Sequence, residues 1–142
     1  MLTLTYAADI EWDGRHISEC LRNIRQWLKR QSIQCRYVWV AEIQEKRKAA
    51  NPDFHCVHYH VVIFLPHGLK LPMLDLRGWW PHGLTRTERI KTAVGYIAKY
   101  ASKGQESGRL PKGARMYGVG GLEGEALDEA RWWALPAWLR EQ

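Results

Sequence analysis

Hydrophobic and polar residues alternate along Leu2-Thr3-Leu4-Thr5-Tyr6. The alternation predicts a strand over residues 1–7, with Leu2, Leu4 and Tyr6 on one face and Thr3 and Thr5 on the other. Asp13-Gly14 marks a turn and a helix cap. From Arg15 to Gln31 the period changes: Ile17, Leu21, Ile24 and Leu28 recur at helical spacing, flanked by Cys20 and Trp27. Arg22, Arg25, Lys29 and Arg30 fall largely off that stripe and read as the solvated side of an amphipathic helix.

Alternation returns over Arg36 to Gln44, with Tyr37, Trp39, Ala41 and Ile43 on one face and Val38, Val40, Glu42 and Gln44 on the other. The polar stretch from Glu45 to Asp53 suits an exposed hairpin loop. An apolar run from Cys56 to Leu65 then predicts a strand antiparallel to the preceding one. Residues 66–84, punctuated by proline and glycine, read as an ordered loop or short strand around Trp79 and Trp80. Thr85 and Glu88 have capping-box spacing, so a second helix is expected from Thr85, stopped by Gly104 just past Lys103. A short edge strand is expected near Met116-Tyr117, and a last helix carrying Trp132, Trp133 and Trp138 over Leu127 to Leu139. No internal repeat or linker interrupts the 142 residues, which are read as one domain, 1–142.

Composition narrows the partner. The formal net charge of +6 favours an anionic ligand, and nucleic acid is the first candidate. No apolar run is long enough to span a membrane and no signal-peptide pattern opens the chain, so no membrane partner is expected. Three cysteines, Cys20, Cys35 and Cys56, lack CxxC spacing, which argues for a reducing, intracellular setting rather than a disulfide framework. Eight tryptophans are many for this length. Most suit core packing, while exposed ones suit stacking on unpaired bases.

The chemistry begins at His58-Tyr59-His60. Alternation sends both imidazoles to one face of an apolar strand, a costly arrangement unless something binds them. A divalent metal is the simplest explanation. Across the expected hairpin, Glu42 is the acidic side chain best placed to join them, with Gln44 in reserve. Two histidines and a carboxylate leave coordination positions open, as a working site requires. The same triad fits a non-haem iron oxygenase, and His55 or Cys56 would instead complete a structural zinc site.

On the second helix, at about 100° per residue, Ile90, Val94, Ile97 and Ala101 form one stripe. Tyr96, Lys99, Tyr100 and Lys103 form another, so that two phenols and two ammonium groups share a face. A phenol of ordinary pKa about 10 is a weak nucleophile at neutral pH. A metal-polarised phosphate and a neighbouring lysine make its attack feasible. The product is a phosphotyrosine ester, which keeps the phosphodiester energy and lets a waiting hydroxyl rejoin the strand.

These motifs, in this order, resemble the HUH endonucleases, and within them the two-tyrosine rolling-circle replication initiators of phages and plasmids. Leu2-Thr3-Leu4-Thr5-Tyr6 looks like the first family motif. His58-Tyr59-His60-Val61-Val62 matches the His-hydrophobe-His motif, and Tyr96 to Lys103 matches the Tyr-x-x-x-Tyr helix with its lysines. Trp80-Pro81-His82-Gly83 and Arg115-Met116-Tyr117-Gly118-Val119 also look like phage initiator sequence.

The resemblance implies an α+β fold, a central antiparallel sheet of about five strands flanked by helices, on the plan of an RNA-recognition fold. It implies site-specific nicking of single-stranded or hairpin origin DNA in the cytoplasm of a bacterial host, leaving a 5′-phosphotyrosine. Glu42, His58 and His60 carry over as ligands to magnesium or manganese, and Tyr96 and Tyr100 as nucleophiles. Lys99 and Lys103 carry over as catalytic electrostatics. Trp80 and Arg115 carry over as DNA-binding candidates.

The gap from Glu42 to His58 is longer than in many relatives and holds Lys46, Arg47 and Lys48, a basic hairpin tip suited to gripping a DNA backbone. No phosphate-loop motif appears, so a separate host helicase and DNA polymerase are expected partners. A transposase or relaxase with the same chemistry is the nearest alternative. A non-catalytic nucleic-acid-binding module would explain the charge but not the histidines and tyrosines.

Overall fold

In the computed structural model the described residues are 1–51, 53–93, 95–96, 99, 110–125, 127–128 and 132. Five strands form one sheet: β1 (Leu2–Thr5), β2 (Arg36–Ile43), β3 (Val57–Phe64), β4 (Thr85–Thr87) and β5 (Tyr117–Gly120). Their order is β4-β1-β3-β2-β5, and every neighbouring pair is antiparallel. Helix α1 (Arg15–Lys29) precedes β2, a short α2 (Glu45–Ala50) joins β2 to β3, and a single turn, α3 (Leu74–Arg77), interrupts the segment before β4. The expected α+β plan is therefore present.

The two-residue period of the strands separates the faces of the sheet. Leu2, Leu4, Trp39, Ala41, Ile43, Val57, Tyr59 and Val61 bury one face in a core with Ile17, Cys20, Leu21, Ile24 and Leu28 of α1. Asp13 accepts hydrogen bonds from the Arg15 backbone and side chain at the entry to α1. Left-handed Ser32 (φ 59°) turns the chain just past its end. All three cysteines are buried and unpaired. No helix among the described residues is long and apolar enough to cross a membrane.

Three local expectations are corrected. Glu45–Ala50 forms α2 rather than an open loop. The composition permits this: Glu45 opens its first turn and Arg47 and Lys48 lie in its last, an arrangement that complements the helix dipole. The Lys48 ammonium donates to the Phe54 carbonyl at 2.8 Å and Arg47 lies over the Phe54 ring at 5.3 Å, closing the hairpin on itself.

Thr85 does not cap a helix. Thr85–Thr87 instead pair with β1, Leu4 opposite Thr85 and Leu2 opposite Thr87. The first helical residue after β4 is Ala93, which leaves Ile90 outside the helix and sets Thr92, a good capping residue type, before its start. Most of the last expected helix, including Trp133 and Trp138, lies outside the described residues. Gly124, Glu125, Leu127, Asp128 and Trp132 are helical.

The third correction concerns Trp80. Its side chain is 1% exposed and its indole N–H donates to the Thr5 carbonyl at 2.8 Å. It packs edge-on against Tyr6 and Tyr59, so this ring is core and presents no surface on which a base can stack.

Candidate functional site

On the face of the sheet opposite α1, β3 carries His58 and His60 between neighbours from β1 and β2. Thr5 pairs with His58 and Thr3 with His60 on one side; Glu42 pairs with His58 and Val40 with His60 on the other. Paired residues share a face, so Thr3, Thr5, Val40, Glu42, His58 and His60 form one patch. The hairpin predicted from alternation thus sets Glu42 directly across from His58.

The carboxylate does not stop there. Glu42 Oε2 reaches diagonally to His60 Nε2 at 2.8 Å. Both imidazoles are buried, each 8% exposed. His58 Nε2 is enclosed and has no hydrogen-bond partner among the described residues. Burial above all, helped by the nearby His60 and Arg47, pushes the His58 imidazole down to about 4 against the pull of Glu42. The ring is therefore neutral at pH 7 and keeps a lone pair, which is the form a metal ligand needs.

Among the described residues no three His, Cys, Asp or Glu side chains already converge as a metal-binding group. The donor types nonetheless fit a divalent ion. A buried imidazole nitrogen with no hydrogen-bond partner among the described residues, a second imidazole and a carboxylate share one patch, and Glu42 spends one oxygen on His60. Gln44 is less well placed. It lies past the end of β2 as the residue before α2, its backbone N–H donating to the Cys56 carbonyl.

Tyr96 and Lys99 are helical, as expected. Tyr96 lines a small cavity together with Met1, Val38, Val40, His60 and Val62. That cavity brings the first tyrosine to the imidazole face of the sheet. Tyr100 and Lys103 lie outside the described residues.

The expected DNA contacts divide. Lys46 on α2 is exposed, while Arg47 and Lys48 spend part of their cationic surface on Phe54. Arg47 still bears on the site, since its charge contributes to the lowered His58 pKa. Arg115 lies over the Trp39 ring at 5.2 Å and donates to Ser18 Oγ at 3.2 Å. Trp39 and Ser18 belong to the α1 side, so Arg115 stands across the sheet from the imidazoles. Thr3 is a further neighbour of His60, signalled in the sequence only by the polar half of the β1 alternation.

A profile of the replication-associated protein ORF2 family matches residues 1–105. The matched stretch holds every described strand except β5, both imidazoles, Glu42 and Tyr96. Searches of curated proteins and of solved structures return no match.

Proposed function

The chain belongs to the replication-associated protein ORF2 family, and from that premise we propose that it nicks and rejoins single-stranded origin DNA through a tyrosine ester. The observation that carries this reading is the cavity shared by Tyr96 and His60. A nucleophile candidate and a ligand candidate border one space on the sheet, and Glu42 is hydrogen-bonded to that same histidine.

His58, His60 and Glu42 would hold a magnesium or manganese ion. A divalent cation bound there supplies Lewis-acid polarisation of the scissile phosphate. The remaining work falls to the chain. Tyr96 Oη attacks phosphorus as its proton leaves; the new Tyr–O–P bond replaces the P–O3′ bond, and the departing 3′ oxygen takes up a proton. DNA is left with a 5′-phosphotyrosine and a free 3′-hydroxyl from which a host polymerase extends. Attack by a 3′-hydroxyl on the same phosphorus reverses the exchange and restores the phenol, so sealing needs no nucleotide cofactor. Tyr100, four residues on, is the second nucleophile of the proposal, and Lys99 and Lys103 are the cations that accompany the phosphate.

The test is incubation with single-stranded origin DNA and manganese, followed by a denaturing gel. A covalent protein–DNA band that persists in either single tyrosine variant and disappears in Tyr96→Phe/Tyr100→Phe supports the reading. A band that survives the double variant overturns it. A non-catalytic binding module gives a mobility shift under native conditions and no covalent band.

A further inference from the structure

β1 begins, β3 ends and β4 ends at one margin of the sheet, where Leu2 pairs with both Val61 and Thr87. Past that margin, residues 65–71 and 87–91, with Ala93, wall a groove of about 690 Å³. Leu65, Leu69, Leu71 and Ile90 give it an apolar lining. Phe64, half exposed, stands at its sheet end. Lys70, Arg89 and Lys91 also line it, are exposed, and make no ion pair among the described residues. The carboxylate in the lining, Glu88, is already bridged to Arg86 at 2.6 Å.

Apolar lining with unneutralised cations is the chemistry of an unpaired nucleic-acid strand, whose bases seek a stacking surface and whose phosphates seek cations. Position selects the strand. Met1 and Val62 border both this groove and the cavity beside Tyr96 and His60. Phe64 lies four residues beyond His60 on the same strand and the same face, about 13 Å along β3.

We propose that this groove binds the single-stranded DNA flanking the scissile phosphate, with Phe64 stacking on a base and Lys70, Arg89 and Lys91 neutralising phosphates. The inference rests on the reading of the Tyr96–His60 patch as a site acting on single-stranded DNA. It adds to that reading a binding channel with its own residues. A duplex does not satisfy it, because paired bases offer no free face to Phe64.

The test uses the full chain with EDTA present, and fluorescence anisotropy of labelled oligo(dT) as the readout. In Lys70→Gln/Arg89→Gln/Lys91→Gln, affinity falls more than about tenfold and the slope of log affinity against log salt drops by about 2. Phe64→Ala weakens binding by about tenfold, and Phe64→Trp restores it. Arg22→Gln/Lys29→Gln/Arg30→Gln removes the same charge from α1 and its C-cap, across the sheet, and changes affinity by less than about twofold.

Equal losses in the two triple variants, or a Phe64→Ala protein that circular dichroism shows folded and that binds normally, overturn the proposal. Its failure is separable from that of the nicking reading. A covalent adduct formed at full yield by the groove variants sinks the groove alone. Groove-dependent binding without any adduct sinks the chemistry and leaves the channel standing.

Discussion

Glu42 faces His58 across the β2–β3 ladder but bonds to His60, its Oε2 lying 2.8 Å from Nε2. The carboxylate thereby links the two histidine positions, one through the backbone register and the other through its side chain. Glu42→Gln keeps the shape and removes the charge. Manganese affinity, measured by titration calorimetry, is expected to fall at least about tenfold in this variant. Unchanged affinity would remove Glu42 from the ligand set.

Trp80 fills the core beside Tyr6 and Tyr59 and donates to Thr5. Its truncation therefore acts on stability rather than on DNA. Trp80→Ala is expected to cost about 3–5 kcal/mol in urea unfolding. Oligonucleotide affinity of the remaining folded protein stays within about twofold of the parent on this account. A stable Trp80→Ala protein with weakened DNA binding would restore the base-contacting role.

Gly83 passes against β1 so closely that an added Cβ would lie 2.2 Å from the Thr5 carbonyl oxygen. The contact is with backbone, which cannot rotate away as a side chain can. Gly83→Ala should destabilise by about 2 kcal/mol and weaken the β1–β4 edge. Amide hydrogen exchange at Thr5 and Ala7, whose N–H groups donate to Leu84 and His82, reads the second effect directly. Unaltered protection and stability would show that the loop can shift freely.

His16 and His82 stack with ring centroids 3.6 Å apart and Trp80 edge-on to both. Burial first, then the His16 charge, lowers the His82 pKa, while Glu19 and Asp13 pull the other way. A histidine depressed in the folded state binds fewer protons there than in the unfolded chain. Stability contributed by the neutral ring is complete above the unfolded value of about 6.5 and is lost as pH falls toward the lower folded value. Wild-type protein should thus lose more stability than His82→Phe between pH 7.5 and 5.5, compared by urea unfolding. Equal losses would mean that the stack titrates no differently from a free histidine.

Where one period ran uninterrupted, the sequence was enough. Leu2 and Leu4 fixed the buried face of β1, with Tyr6 just past its end, and Ile17, Leu21, Ile24 and Leu28 fixed that of α1. Alternation put Glu42 on the imidazole face of an expected β2–β3 hairpin, and the observed pairing sets it opposite His58. β4 was not legible, because Thr85-Arg86-Thr87-Glu88 serves a helix cap and a short edge strand equally well. Pairing to β1, a contact distant in sequence, decides between them. α2 carries no legible signal, because its six mostly charged residues form no apolar stripe. The loop setting of Trp80 hides a destination set by Tyr6, Tyr59 and the Thr5 carbonyl. The groove left even less trace: Phe64 and Lys70 are separated from Arg89 and Lys91 by nearly twenty residues.

The central claim is that a phenol of the Tyr96–Tyr100 pair becomes the bridge to DNA. Trypsin cuts after Lys91, Lys99 and Lys103, so it releases Thr92–Lys99 and Tyr100–Lys103 as separate peptides. After reaction with single-stranded origin DNA and manganese, then nuclease trimming, mass spectrometry should find a nucleotide phosphate on Tyr96, on Tyr100, or on each in different molecules. A nucleotide linked to any other residue, or cleaved DNA with both peptides unmodified, would contradict the account.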